Sequence, residues 1–83
     1  MDYTKLKIGT KIYYTGDMAN PEGRGKIVRI THSFYPVEYW IKLTDGRLWE
    51  KVLPSNFKGI GRRFWVEKEY EAERKNYKRV KND

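Results

Sequence analysis

The sequence predicts a mainly β domain, with about five short antiparallel strands closed into a small barrel over residues 1–66 and a charged helix or tail over residues 67–83. Turn-forming residues recur about every eight to twelve positions in the first part, a spacing that suits strands better than helices. Apolar and polar residues alternate over residues 37–44, which is typical of a half-buried strand. The tail contains neither Gly nor Pro, which favours a helix.

Composition limits what this domain can be. The chain has 83 residues, a net charge of +7, one His and no Cys. The lack of Cys excludes a disulfide framework, a thiolate nucleophile and a zinc ribbon, so packing must supply the stability. The N-terminal segment has no apolar run of signal-peptide length, and no 18 uncharged apolar residues follow one another. We therefore expect one small, soluble, cytoplasmic domain without a membrane segment.

The individual strands follow from the same patterns. In the first strand Ile12 and Tyr14 share one face, and in the second Val28, Ile30 and Phe34 share a face with His32. The segment VLPSNF predicts a tight or 3₁₀ turn before the last strand. The predicted strands are KIYYT (11–15), KIVRITHSF (26–34), VEYWIKLT (37–44), RLWEKV (47–52) and KGIGRRFWV (58–66).

The strongest local signal is a hairpin around Asp45-Gly46. This dipeptide suits a type I′ turn with a two-residue loop. In that register Leu43 faces Leu48 on the core side, whereas Lys42 faces Trp49 on the other side. Glu50 then falls on the core side, and either a bulge near Glu50 or a position at the barrel rim would resolve the conflict.

The tail has the charge order of a helix. Its acids precede its bases, which suits the helix dipole, and Glu71 lies four residues before Lys75. A thin apolar stripe recurs at roughly helical spacing, at Val66, Tyr70, Tyr77 and Val80.

The segments IGTKIYYTGD, EGRGKIVRI and YWIKLTDGRLW resemble, in pattern, Src-homology-3-like barrels of the Tudor and KOW kind. The resemblance covers about residues 8–66, and it implies a small barrel without specifying one function. VLPSNF is also similar to the turn before the final strand of proline-peptide-binding Src-homology-3 domains, which implies a ligand groove at Pro54 and Phe57. The sequence departs from that pattern because Phe57 lacks a hydroxyl, no acidic loop is evident, and Leu48 precedes Trp49 where a tryptophan doublet is expected.

Two basic constellations point to an anionic partner. In the expected hairpin register, two tryptophans and three cations share the face opposite the core. Aromatic rings stack on bases while Lys and Arg neutralise phosphates. The first set is Trp40, Lys42, Arg47, Trp49 and Lys51, and the second is Arg24, Lys26, Arg29, Arg62 and Arg63.

Most of the excess charge lies on the barrel. Residues 1–66 hold 12 bases and 6 acids, a net of +6, whereas the tail holds 6 and 5, a net of +1. The sequence therefore predicts a non-catalytic domain that binds DNA or RNA with weak sequence specificity. In the alternative interpretation, the helix or Trp65 covers the tryptophans as a second small core, and the charge serves solubility.

A protein-interaction module is the other functional hypothesis. It would dock an acidic or extended partner segment on Tyr14, Trp49, Pro54 and Phe57, and self-association through the tryptophan face is a further possibility. An aromatic cage for methylated lysine or arginine would instead draw on Tyr13, Tyr14, Phe34, Tyr35 and Trp40, with Glu38 or Asp17 as its acid.

Catalytic chemistry is poorly represented. His32 is the only His, and Ser33 next to it points to the opposite face of a strand, so the two cannot act as base and nucleophile. The glycines of PEGRG lack the strand–loop–helix order and the Lys-Ser/Thr of a phosphate-binding loop. We expect no enzyme activity, no cofactor and no metal.

Overall fold

A computed structural model describes the backbone of residues 1–82 and the side chains of residues 1–75. The chain forms five strands, two 3₁₀ helices and one α-helix. The strands are β1 (Lys11–Tyr14), β2 (Gly23–Thr31), β3 (Glu38–Leu43), β4 (Leu48–Val52) and β5 (Phe64–Val66), the 3₁₀ helices are Tyr3–Lys5 and Pro54–Phe57, and the α-helix is α1 (Glu67–Asn82).

The five strands form one antiparallel sheet in the order β4-β3-β2-β1-β5. This confirms a mainly β fold with five antiparallel strands and a C-terminal helix. Within the described residues β4 and β5 have no partner on their outer sides, so the sheet is not closed. The predicted barrel is not confirmed for that reason.

The core lies on one face of the sheet, here called the inner face. Ile12 and Tyr14 point into it as predicted, and Phe57 from the second 3₁₀ helix lies at its centre with only 1% of its surface exposed. The Phe57 ring lies 5.8 Å from Tyr3 and 6.0 Å from both Tyr39 and Phe64, measured between ring centroids. The predicted 3₁₀ turn is thereby confirmed, and it covers the open side of the core.

The second strand differs from the prediction in its bounds and its inward residues. Ile27, not Val28, is fully buried, because a bulge between Ile27 and Arg29 inserts Val28 as an extra residue. Ile30 packs against the core as expected. The strand ends at Thr31, so Phe34 lies in the following loop with 90% of its surface exposed.

The register of the β3–β4 hairpin is shifted by one residue from the predicted one. The Leu43 N–H donates to the Arg47 carbonyl over 2.8 Å, so the loop has three residues and Gly46 closes it with a φ of +97°. Trp49 therefore pairs with Ile41 on the inner face. Leu48 pairs with Lys42 on the other face and is 45% exposed, which makes the predicted Leu43–Leu48 pair wrong.

The predicted bulge near Glu50 is confirmed. Ile41 pairs with Trp49 but Tyr39 pairs with Val52, so β4 holds one residue more than β3 between these pairs. Lys51 lies in the bulge with a φ of +54°, and Val52 returns to the core.

The helix α1 follows β5 directly and carries Glu67 and Glu69 in its first turn, as the dipole argument predicts. The predicted stripe residues Tyr77 and Val80 lie outside the described side chains. Across residues 1–82, no helix combines the length and apolar character needed to cross a membrane.

Candidate nucleic-acid interface

Three lysines form a row across the face opposite the core, here called the outer face. Lys11 on β1 pairs with Lys26 on β2, and Lys26 pairs with Lys42 on β3. Neighbouring strands lie about 4.8 Å apart, so this lysine row spans roughly 10 Å. The three side chains point outward because Ile12, Ile27 and Ile41, which alternate with them along the strands, point into the core.

The charge of the lysine row is not neutralised by neighbouring carboxylates. All three residues are exposed. Among the described side chains, no carboxylate lies within 4.0 Å of any of the three ammonium groups. Like charges at directly opposed positions destabilise a strand pair, so the arrangement has a cost that an anion bound across the row would offset.

An arginine–tryptophan pair lies beside the lysine row. The β2 bulge returns Arg29 to the outer face, where it pairs with Trp40. The Arg29 guanidinium lies 4.8 Å from the Trp40 ring centroid, and the Trp40 Nε1 donates to the Thr31 hydroxyl over 3.0 Å. A fixed indole and a second type of cation thus extend the positive surface along β2 and β3.

A groove of about 410 Å³ follows the lysine row. Its lining includes the three lysines of the row, the apolar Val28 and Leu43, and also Arg24 and Glu67. Such a groove can hold a phosphate chain, since four of its lining residues are basic and one is acidic.

The other half of the outer face is covered by α1. Tyr70 stacks on Tyr13 with ring centroids 4.0 Å apart, and it meets Trp65 at 5.7 Å in an edge-to-face arrangement. The Arg62 guanidinium lies 3.5 Å from the Trp65 ring centroid. The predicted second core, in which the helix or Trp65 covers Trp40 and Trp49, is therefore not formed: α1 instead packs against Tyr13 and Trp65.

Arg24 belongs to this covered half. Its guanidinium lies 2.9 Å from a Glu71 oxygen and 3.3 Å from a Glu67 oxygen. The hydrogen bond to Glu71 raises the pKa of Arg24 above its ordinary value. Arg24 is thus neutralised within the chain, unlike the lysine row next to it.

Two of the predicted hairpin residues lie on the inner side instead. Trp49 contacts Tyr14 with ring centroids 4.7 Å apart, and the Arg47 guanidinium lies 5.3 Å from the Trp49 ring. Arg47 also bonds to the Asp45 carboxylate and to the Pro21 carbonyl. The expectation that Trp40 and Trp49 share one surface is wrong. The three-residue loop shifts the register of β4 by one residue, so Trp49 lies on the inner face.

The structure therefore divides the ten predicted nucleic-acid residues. It brings together Lys26, Arg29, Trp40 and Lys42, and it places elsewhere Arg24, Arg47, Trp49, Lys51, Arg62 and Arg63. Arg63 pairs with Asp17 over 3.1 Å. Lys11 is the member that the sequence reasoning missed: its outward direction follows from Ile12, but its neighbours become visible only in the sheet order.

The residues of the peptide-binding hypothesis are only partly available. Tyr14 and Trp49 line an inner-side groove of about 530 Å³ that runs between β4 and β5. Pro54 is half-buried and Phe57 is in the core, so Phe57 cannot contact a partner. The aromatic cage is not formed, since Tyr13 and Tyr14 point to opposite faces.

His32 and Ser33 make separate contacts. The His32 Nδ1 is hydrogen-bonded to the Pro36 carbonyl, and the Ser33 hydroxyl donates to Glu38 over 2.9 Å. In the described part of the chain no three His, Asp or Glu side chains come together where they could hold a metal ion.

Comparison with protein-family models, with curated proteins and with solved structures gives no match to this chain, so the assignment of a function rests on the geometry above.

Proposed function

We propose that this chain is a small, cytoplasmic, non-catalytic domain that binds nucleic acid with weak sequence specificity through the open half of its outer face. The observation that carries the proposal is the lysine row, whose three charges lack a carboxylate partner among the described side chains. The Arg29–Trp40 pair lies next to it on the same two strands.

The physical basis is neutralisation of phosphates. Each Lys that contacts a phosphate releases a condensed counterion, which favours binding most at low salt. In addition, a bound phosphate chain would relieve the repulsion between Lys26 and its neighbours, which costs from a few tenths of a kcal/mol to about 1 kcal/mol for an opposed pair. A lysine ammonium is a point charge on a flexible stem and contacts phosphates without regard to sequence, which supports weak sequence specificity.

The Src-homology-3-like barrel is part of the same proposal. The strand order, with the second 3₁₀ helix between β4 and β5, is compatible with a curled sheet whose edges approach each other. The contacts of Phe57 with Tyr39 on β3 and with Phe64 on β5 support this curl. The resemblance to Tudor and KOW barrels adds no specific ligand.

The test compares two double variants that lose the same charge. Lys26→Ala/Lys42→Ala removes two members of the lysine row, and Lys5→Ala/Lys58→Ala removes two exposed lysines elsewhere. Fluorescence anisotropy with a labelled single strand should show a loss of about tenfold or more for the first variant, and a salt slope lower by roughly 1.4. Equal losses for the two variants, or no binding by the natural sequence at low salt, would contradict the proposal.

A second candidate is the docking of an acidic, extended peptide in the inner-side groove. The observation in its favour is the lining: the Tyr14 and Trp49 rings are accompanied by Lys51, Lys58 and Arg63, with Glu50 as the one acid in the described lining. The two candidates predict different tryptophans. Trp40→Ala should weaken binding of an oligonucleotide, whereas Trp49→Ala should weaken binding of an Asp/Glu-rich peptide, with a shallower response to salt.

A further inference from the structure

Two exposed aromatic rings lie at the tip of the loop between β2 and β3. Phe34 is 90% exposed and Tyr35 is 47% exposed, and their ring centroids lie 5.4 Å apart in an edge-to-face arrangement. Neither residue belongs to the core cluster. Ring surface of this size in contact with water is unfavourable unless a partner covers it.

The base of this loop is tied to the outer face. The Glu38 carboxylate, which is 3% exposed, accepts hydrogen bonds from the hydroxyls of Ser33, over 2.9 Å, and Thr31, over 3.0 Å. Thr31 in turn accepts the indole N–H of Trp40. A continuous chain of hydrogen bonds therefore connects the loop with the tryptophan of the proposed interface, and Phe34 follows Ser33 directly.

The order of groups along the β2–β3 hairpin suits an extended strand of nucleic acid. Lys42 and Trp40 are two residues apart on β3, which corresponds to about 6.6 Å, and Glu38 lies about 6.6 Å further on. The loop tip comes next. Cations, a fixed indole, the buried and hydrogen-bonded Glu38 carboxylate and two free rings thus succeed one another along the hairpin.

We propose that Phe34 and Tyr35 form a base-stacking site and that the nucleic acid bound at the outer face is single-stranded. This inference rests on the proposed function and deepens it. Exposed rings stack on the flat faces of unpaired bases. In a duplex those faces are already stacked on neighbouring bases, so the loop tip gains nothing from double-stranded ligand beyond the phosphate contacts.

The experiment separates bases from phosphates. Binding is measured for an oligothymidylate of about 12 nucleotides, for an abasic strand of the same length, and for a duplex of that length. Each is titrated into the natural sequence and into Phe34→Ala/Tyr35→Ala. The matched control is Met18→Ala/Ile60→Ala, because both of these apolar residues are fully exposed on other loops. An oligouridylate repeats the titration for RNA.

The natural sequence should bind the thymidylate about tenfold or more tightly than the abasic strand, and the loop variant should lose most of that ratio. Its affinity for the duplex and its salt slope should not change, because the lysines remain. The control variant should behave like the natural sequence. An equal loss of thymidylate and uridylate affinity in the loop variant would assign the site to the bases alone, and a larger loss for one of them would identify the preferred strand.

Failure of this inference differs from failure of the proposed function. If the loop variant keeps the full ratio of thymidylate to abasic affinity while Lys26→Ala/Lys42→Ala still weakens binding, the stacking site is wrong and the interface stands. If the natural sequence binds none of the strands at low salt, both proposals are overturned.

Discussion

Both halves of the outer face carry basic side chains. Among the described residues, those of one half pair with acids or pack against rings of the chain, whereas the lysine row of the other half does not. In the half covered by α1, Arg24 is paired with Glu67 and Glu71, and Arg62 is packed on Trp65. In the open half, the lysine row has no carboxylate within reach among the described side chains. The difference shows that the count of Lys and Arg overstates the interface: of the eight basic residues predicted for it, four make ion pairs or ring contacts elsewhere in the fold, namely Arg24, Arg47, Arg62 and Arg63.

The largest expected effect concerns Gly25, which holds β2 close to β3 under the lysine row. A Cβ added at this position would lie 2.1 Å from the Lys42 carbonyl oxygen, which is backbone and cannot yield locally. Gly25→Ala should therefore lower the free energy of unfolding by about 3 kcal/mol. Urea unfolding followed by tryptophan fluorescence measures this.

The matched control for Gly25 lies on the same strand and the same face. At Gly23 an added Cβ would meet side-chain atoms and no backbone, the far end of Arg47 at 2.9 Å and the Leu43 Cδ1 at 3.1 Å. Gly23→Ala should thus cost about 1 kcal/mol or less. Similar unfolding midpoints for the two variants would show that β2 and β3 are not held as closely as described.

A smaller effect is expected on the affinity for a single strand when the acids that pair with Arg24 in the covered half are removed. Glu67→Gln/Glu71→Gln leaves Arg24 without its two carboxylates and should raise affinity for a single strand by about threefold to tenfold. The partly exposed ion pairs contribute little to folding, so the loss of stability should be about 0.5 kcal/mol. Glu50→Gln/Glu73→Gln removes the same charge at exposed positions, and it should change affinity less. An equal gain would mean that net charge alone sets the affinity.

The smallest effect is a pH dependence at Asp17, a paired charge outside both halves. The hydrogen bond from the Tyr14 hydroxyl, together with the backbone N–H groups of Ala19 and Asn20, lowers the pKa of Asp17 to about 2. Because this pKa lies below the ordinary 3.8, the unfolded chain binds the proton more readily. The stabilisation is fully present above about pH 4 and is lost as the pH falls towards 2.

Asp17→Asn should therefore lower the unfolding midpoint at pH 7, and the difference from the natural sequence should shrink between about pH 4 and pH 2. Denaturant titrations at a series of pH values measure it. A difference that stays constant across this range would show that the ionised carboxylate contributes nothing.

Much of the fold could be predicted from local pattern. The strand around Ile12 and Tyr14, the alternation in β3, the 3₁₀ turn and the helix each depend on neighbours in sequence. The register of the β3–β4 hairpin could not, because Asp45-Gly46 is compatible with a two-residue loop and with a three-residue loop. This difference of one residue in loop length determines on which face of the sheet Trp49 lies.

The candidate site was harder to predict than the fold. Lys26 and Lys42 were identified, yet the row also needs Lys11, which becomes their neighbour through pairing between distant segments. Arg29 reaches the outer face only because of the bulge at Val28. Charges that the fold neutralises, such as Arg24, look the same in the sequence as charges that it leaves free.

The hairpin of β3 and β4 carries two irregularities that cancel each other. The three-residue loop shifts the strand by one position, and the bulge at Glu50 and Lys51 shifts it back before Val52. Only Arg47, Leu48 and Trp49 are therefore displaced from the register of a two-residue loop, while Tyr39 and Val52 keep their pairing. A two-residue loop at Asp45-Gly46 combined with loss of the bulge would exchange an exposed leucine for an exposed tryptophan while Tyr39 still pairs with Val52, so the surface chemistry of this edge can vary independently of the fold.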